Sequence, residues 1–470
     1  MEVSSVPKLC QRLISSAIQR CRISDDFCRL SVVLKRSPLV RISISDTGVG
    51  SCLEDFQDWK FTMDSVSAEK WDGVISVTTT SISDNEIFQY CLNLKESTSA
   101  RRLIKLPSNP KNGAKFSGTE VSLSSFENID DLLVEIAHFL RKMQVLKIPK
   151  VAIELVVEHC DSPISRSEKF ILANECIPQS FLSSNLERLR SGFEDYVYKH
   201  GNSLDKRCHS CFPTWEHLKV GSGMAHRAGS RSSSDLVTEA VIVISESSEP
   251  SCACFRAYGA KTEVLYFKDF LLCSIPQSSL NALASIDWKS YGLTLRTVVE
   301  QDGHAILEWE SLPSCAHIDI VLHFYQKQVI LPLAGQKTQV DRNLIKNAVK
   351  LALGDLKEKH PGALLSTRAL KIRSYAPDLA RTIAALILSS NNSNFQEECF
   401  SLLGLPSQEI RGEIVECCIT GKIVSVVETN DRKPSKSAEA APFLFEDCFH
   451  EPDIQEGEYE DEETYSTLDL

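Results

Sequence analysis

The chain has 470 residues, 43% of them hydrophobic and 24% charged, a balance that excludes a fibrous or wholly disordered protein and suits two to four domains. Seventeen cysteines in no repeating spacing, with no apolar leader before them, indicate a reducing compartment, and no apolar run reaches the roughly 20 residues of a membrane span. The net charge of −12 counts against a nucleic-acid partner only superficially, because residues 446–470 hold eleven acidic residues and no basic one, which leaves the rest of the chain at −1.

A helix comes first, since Leu9, Leu13, Ile14, Ala17 and Ile18 share one face. Strands are predicted over 30–34 and 39–44, and the second runs directly into Asp46-Thr47-Gly48-Val49-Gly50. Residues 74–94 alternate as strands do, and Gly118-Thr119 opens another strand through Leu123. A helical face of Ile129, Leu132, Leu133, Ile136, Ala137, Leu140 and Met143 ends before Pro149, and 151–157 reads as a buried strand that closes a first domain near residue 165. Residues 166–234 are heterogeneous. A helical piece spans 186–198, and the small-residue stretch 221–234 reads as a linker. Strands over 240–245, 263–267, 293–299, 305–309 and 317–324 predict an antiparallel sheet. Two helices follow: 341–359, stopped by Pro361-Gly362, and a second from Pro377 to Leu388, with Pro377 in its first turn. The acidic end, 426–470, reads as a solvated disordered tail, although Phe443, Phe445, Phe449, Tyr459 and Tyr465 also suit an interaction element.

Asp-x-Gly-x-Gly after a strand has a physical use when the ligand is adenine. The carboxylate accepts a hydrogen bond from the exocyclic amine, and the glycines let backbone pass beside the base. The bare motif also fits a simple turn after a strand. In context, with a helix before it and the Gly118-Thr119 strand start after it, it resembles the GHKL nucleotide-binding fold of gyrase B, Hsp90, MutL and histidine kinases. That resemblance places Asp46, Gly48, Gly50, Gly118 and Thr119 around an adenine pocket.

One branch of this fold is most similar. The helix 130–143, with Val145-Leu146-Lys147-Ile148-Pro149 and the strand 151–155, resembles the end of the nucleotide domain in topoisomerase VI B subunits. Arg373-Ser374-Tyr375-Ala376-Pro377-Asp378-Leu379-Ala380 resembles the Tyr-x-Pro-Glu-x-Ala helix start at the end of that family's transducer domain, and 341–359 is similar to the helix before it. Asp287-Trp288-Lys289-Ser290-Tyr291-Gly292-Leu293 resembles the transducer loop whose lysine, here Lys289, senses the γ-phosphate. The chain thus resembles the topoisomerase VI B subunit family, in its plant meiotic branch. The implied fold is α+β: a GHKL (Bergerat-type) α/β sandwich over 1–165, a reduced middle region and linker over 166–234, an α+β transducer domain with long C-terminal helices over 235–425, and the tail.

Departures from the family pattern set the expected mechanism. Hydrolysis in this fold uses a Glu on the first helix to activate water and an Asn one turn later to hold Mg²⁺. Here that helix carries Gln11, Arg12, Ser15, Ser16 and Gln19, and no Asn precedes Asp84. Trp71-Asp72-Gly73-Val74-Ile75-Ser76 keeps one glycine where a phosphate-cradling lid needs several. The resemblance therefore implies a pseudo-ATPase: no catalytic residues, no metal site, and ATP with Mg²⁺ a doubtful cofactor. It implies a B-type subunit that binds A-like, sporulation-type transesterases, two of each subunit, to form the nuclear double-strand breaks that start meiotic recombination, with DNA contacted indirectly or weakly. An active GHKL ATPase and a nucleotide-independent scaffold are the alternatives. The partner face is expected on the helix from Pro377, at Tyr375, Pro377, Leu379, Ile383, Leu386 and Ile387.

The remaining motifs say less. Lys289 equally suits a strand-end lysine beside the packing residue Trp288. Cys208-His209-Ser210-Cys211, with His217 and His226 downstream, has half of a zinc knuckle and no second Cys pair. Cys252-Ala253-Cys254 matches strand alternation. Lys346, Lys350, Lys357, Lys359, Arg368, Lys371, Arg373 and Arg381 read as a solvated helix face, with DNA or partner contact as the other use.

Overall fold

A computed structural model gives the fold, and it describes residues 2–3, 5–36, 39–52, 54–57, 60–61, 71–96, 102–159, 166–173, 184–200, 218–227, 236–246, 261–301, 304–310, 312, 316–326, 342–362, 364–405 and 411–432. The class is α+β, as expected. Strand β1 (Glu2–Val3) leads into helix α1 (Val6–Ile23), whose N-cap is Ser5 and whose buried face is Val6, Leu9, Cys10, Leu13, Ile14, Ala17, Ile18 and Cys21. Arg20 and Arg22 in its last turn suit the helix dipole. Then come β2 (Cys28–Arg36), β3 (Val40–Asp46), the short turn α2 (Glu54–Gln57), β4 (Lys60–Phe61), β5 (Trp71–Thr80), β6 (Glu86–Asn93), β7 (Leu103–Pro110) and β8 (Gly118–Ser125). Helix α3 (Ile129–Met143), capped by Asn128, with Asp130 and Asp131 in its first turn, precedes β9 (Val151–His159) and β10 (Arg166–Ala173).

These strands make an eight-stranded mixed sheet in the order β10-β9-β2-β3-β8-β5-β6-β7. Only the β2–β9 pair is parallel within it. Alternation turns Leu30, Val32 and Leu34 of β2 and Val40, Ile42 and Ile44 of β3 to the face that α1 and α3 cover. The result is an α/β sandwich, with α1 and α3 on one face of the sheet. The segment over 71–76, considered above as a remnant lid, is strand β5. Its one glycine, Gly73 (φ +85°), sits at a register shift between Trp71 and Ile75, a bulge rather than a phosphate cradle.

After α4 (Asn185–His200) a second sheet forms from β11 (Leu218–Arg227), β12 (Leu236–Glu246), β13 (Lys261–Lys268), β14 (Leu271–Leu272), β15 (Leu295–Gln301), β16 (His304–Trp309) and β17 (Ala316–Gln326). Its order is β11-β12-β17-β13-β16-β15, with β14 on β13. Two expectations change here. The sheet is mixed rather than antiparallel, because β13 runs parallel to β17, a long-range pairing that no local pattern encodes. The small-residue run beginning at Gly221 is not a linker through Arg227 but strand β11, paired along its whole length with β12. Its glycines let a helix approach. A Cβ on Gly221 would lie 2.1 Å from the Ala352 carbonyl oxygen, and one on Gly223 would lie 2.4 Å from that of Ala348.

That helix is α6 (Arg342–Lys359), which with α5 (Gln277–Ala284) covers one face of the second sheet through Ile345, Val349 and Leu353. The other face, with Val241, Val243, Leu265, Phe267 and Val321, joins the core of the first sheet. Burial on both faces explains the apolar run Ala240–Ile244 of β12 and the continuous burial of β17 from Ile318 to Tyr325. The Lys142–Glu263 ion pair, 2.7 Å apart and buried, ties α3 to β13. Helices α7 (Thr367–Ser389), α8 (Ser393–Leu403) and α9 (Gly412–Arg432) build a separate small core of Ala380, Ala384, Ile387, Phe400, Val415 and Ile419. Pro377 lies inside α7, not in its first turn. The helix begins ten residues earlier at Thr367, behind the Ser366 cap, and Pro377 forgoes the bond to the Arg373 carbonyl. No helix among the described residues is long and apolar enough to cross a membrane.

Candidate functional site

The strand phase that turns Val40, Ile42 and Ile44 inward turns Asp46 inward as well, and its side chain is fully buried. A buried carboxylate needs partners. The Gly48 N–H donates to Oδ1 at 3.1 Å, and Arg20 of α1 donates to Oδ2 through Nε at 3.0 Å and Nη2 at 2.7 Å. Burial pushes the Asp46 carboxyl above the usual carboxylate range, against the opposing pull of the Arg20 guanidinium and the Gly48 N–H. The acceptor that the motif would offer to an adenine amine is thus already engaged by the protein's own guanidinium.

The glycines of the motif are required by protein backbone. A Cβ on Gly48 would lie 2.5 Å from the Arg20 carbonyl carbon, and one on Gly50 would lie 2.6 Å from the Thr80 carbonyl oxygen. One on Gly118 would meet the Asp46 carbonyl oxygen at 2.5 Å. Register sets Asp46, Thr119 and Thr79 side by side across β3, β8 and β5. Their hydroxyls, 3.1 Å apart, both accept from the Ser51 N–H, Thr79 at 2.8 Å and Thr119 at 3.1 Å, which fixes the chain leaving the motif. Asp46, Gly48, Gly50, Gly118 and Thr119 are therefore brought together, around Arg20 and Thr79, which sequence reasoning missed. The inward phase of Asp46 was the available signal, since it demands a basic partner.

Beside Arg20 opens a cleft of about 600 Å³. Its wall on α1 carries Lys8, Gln11, Arg12, Ser15, Ser16 and Gln19, so this helix face offers the amides of Gln11 and Gln19 but no carboxylate to activate a water. Among the described residues the one carboxylate lining it is Asp55 of α2, which accepts from the Cys52 N–H at 3.0 Å. The far wall is Leu271, Leu272 and Cys273 of the second sheet. Lys289 is exposed on the helical turn Trp288–Tyr291 and does not line this cleft, while its neighbour Trp288 is buried and donates Nε1–H to the Leu283 carbonyl at 2.9 Å.

The expected partner face lies on α7. Tyr375, Leu379, Ile383 and Leu386 are 54%, 49%, 39% and 64% exposed, and Ile372 extends their line at 39%. Spacings of three and four residues put all five on one stripe. Ile387 is buried in the three-helix core instead, so it packs within the unit, and Pro377 is exposed off the stripe. Of the basic residues, Arg381 pairs with Asp378 and Glu416, Arg373 with Glu428, and Lys359 with Asp355. The expected tail over 426–470 is corrected at its start, since 426–432 continue helix α9 to Arg432; the Cys208–Cys211 motif, Cys252 and Cys254, residues 228–234 of the expected linker, and residues 433–470 lie outside the described residues.

Two family descriptions match the sequence: "MTOPVIB middle domain" over residues 186–360 and "Meiotic topoisomerase VIB-like C-terminal domain" over 368–432. Together they span about half of the chain. No curated protein matches it significantly. Among solved structures, the Aquifex aeolicus MutL ATPase domain complexed with ADP is 13% identical, covering 72% of this chain and 100% of that one with a TM-score of 0.30. The 43K ATPase domain of Thermus thermophilus gyrase B, in complex with an aminocoumarin, is 11% identical over 75% and 84% of the two chains, with a TM-score of 0.32. The N-terminal domain of a DNA repair protein is 11% identical over 76% and 93%, with a TM-score of 0.35.

Proposed function

The chain belongs to the meiotic topoisomerase VIB-like family, and from that premise we infer that it is a non-catalytic B-type subunit holding A-like transesterases in place while they break DNA. The observation that carries the non-catalytic part is Arg20 on Asp46. An adenine amine would have to displace a buried ion pair held at 2.7 Å, and the cleft beyond offers no activator on α1 for the γ-phosphate end. An active ATPase, the alternative weighed from the sequence, finds no support in these residues.

The positioning part rests on α7. A stripe of five large apolar side chains on a helix whose opposite face is already packed suits a partner helix laid along it, and we assign that partner to the A-like subunit. In the assembly proposed here two copies of each subunit combine around a two-fold axis in the nucleus, and DNA is engaged through the A-like subunits.

Co-expression with A-like transesterases tests the reading. The wild-type chain is expected to co-purify as a complex whose size is the same with and without a non-hydrolysable nucleotide. Replacing Leu379 and Ile383 together by Glu should abolish the complex while the melting curve of the free chain stays put, because both side chains are exposed. Retention of the partner by that double variant would remove α7 from the interface, and turnover of ATP by the purified chain would overturn the non-catalytic reading.

A further inference from the structure

The hairpin between β13 and β14 turns through two successive left-handed residues, Asp269 (φ +49°) and Phe270 (φ +67°). Asp tolerates that region through its short polar side chain, but for a bulky residue such as Phe it is strained. A conformation of this kind persists only where its surroundings hold it.

The holder is the last turn of α1, from the other sheet's layer. Gln19 donates Nε2–H to the Asp269 carbonyl at 2.9 Å, and Arg22 donates Nη1–H to the same oxygen at 3.2 Å and to the Gln19 side-chain oxygen at 3.1 Å. The Arg22 guanidinium lies 3.8 Å from the centre of the Phe270 ring. That ring also meets His323 edge-on at 4.4 Å and Tyr325 at 5.6 Å. Both of those are anchored on the buried Glu239, His323 Nδ1 at 3.0 Å and the Tyr325 hydroxyl at 2.9 Å. The Asp269 N–H donates to the Phe324 carbonyl at 2.8 Å. Immediately after the turn, Leu271, Leu272 and Cys273 form the far wall of the cleft whose near wall is α1.

We propose that the Asp269–Phe270 turn is a built-in latch, clamped by Gln19 and Arg22, that holds the second sheet shut on the end of α1 and walls off the cleft without any ligand. Arg20, which lines that cleft and binds Asp46, stands between Gln19 and Arg22 in the sequence, so one helical turn serves both contacts. The latch acts in the free chain and stands whether or not a transesterase is recruited. Its consequence is that the orientation of the second sheet relative to the first domain is set by side chains and does not wait on nucleotide.

Replacing Phe270 by Gly in the full chain separates this proposal from simple turn geometry. Glycine adopts φ +67° without strain, so an unclamped turn would become more stable on substitution. The latch predicts the opposite sign: a melting temperature lower by about 4 °C, and amide exchange about tenfold faster at both 268–273 and 16–23 together. Arg22→Lys, which keeps the charge and loses the planar stack, is the milder second variant and should raise exchange at the same two segments. Arg22→Ala combined with Phe270→Gly should be no worse than the more damaged single variant. A more stable Phe270→Gly chain, faster exchange confined to the hairpin, or altered exchange at the wild-type turn on adding ATP and Mg²⁺ would each overturn the latch. Loss of transesterase binding plays no part in these readouts.

Discussion

Helices α1 and α7 are both amphipathic, yet they spend their large side chains in opposite directions. Helix α1 buries Leu9, Leu13, Ile14 and Ile18 at 0–1% exposure against its own sheet. Helix α7 packs inward through Ala369, Ala376, Ala380, Ala384 and Ile387, and leaves Ile372, Tyr375, Leu379, Ile383 and Leu386 outside. An apolar periodicity therefore fixes that a helix has a face, not that its own chain covers that face. Their arginines diverge in the same way. The side chain of Arg20 is 9% exposed on the fully buried Asp46, whereas that of Arg381 is 67% exposed beside Asp378 and Glu416.

The largest effect expected from this contrast follows from deleting each arginine. Arg20→Ala leaves the Asp46 carboxylate buried without its cation and should cost about 3–5 kcal/mol in denaturant unfolding. Arg381→Ala removes an exposed pair in water and should cost no more than about 1 kcal/mol. Equal costs for the two would break the comparison and would mean that Asp46 is hydrated or neutral in the folded chain. The next effect concerns size on the two faces of α7. Ala380→Leu forces extra volume between α7 and α9 and should destabilise that three-helix unit by about 1–3 kcal/mol. Its neighbour Leu379→Ala should stay within about 0.5 kcal/mol in the free chain. Amide exchange across α7–α9 reads both, and a large loss for Leu379→Ala would show that the stripe is covered from within.

Much of the first domain is legible from periodicity because its contacts are local or adjacent. The face of α1, the run of β3 into Asp46 and the opening of β8 at Gly118 all stand where alternation and helical spacing put them. Arg20 was not legible in that way. A helical wheel marks apolar positions, and a basic residue between Gln19 and Cys21 reads as surface until the inward phase of Asp46 is weighed. Gly221 and Gly223 suggest a linker by composition, whereas their lack of a Cβ serves contact with α6, a helix more than a hundred residues away in the chain. Pro377 suits a first turn by preference, and the Ser366 cap upstream outweighs that preference. The strained turn at Phe270 carries no glycine to announce it, and only its partners on α1 account for it. What periodicity misses in this chain is contact between segments far apart in sequence, and the site itself is built from such contacts.

A pH-dependent effect is expected where the two kinds of helix environment meet. Asp431, near the end of α9, accepts from the Ser366 N–H at 2.9 Å and from the Ser366 hydroxyl at 2.5 Å, and lies 3.6 Å from Lys357 of α6. Partial burial raises its carboxyl, but the Ser366 hydrogen bonds and the Lys357 charge outweigh burial and hold it below the usual carboxylate range. A depressed carboxyl contributes stability that is fully present above the unfolded value of about 3.9 and is lost as pH falls through the folded value. Asp431→Asn should therefore cost about 1 kcal/mol at neutral pH, and the two unfolding curves should converge as the pH is lowered below about 4. A difference that persists unchanged into strong acid would mean that Asp431 acts by shape alone. The pinning of α7 to α9 and α6 would then rest on Ser366 as a helix cap rather than on charge. In that case the orientation of the exposed stripe would be insensitive to Lys357, and Lys357→Met would leave both the melting curve and the exchange at the start of α7 unchanged.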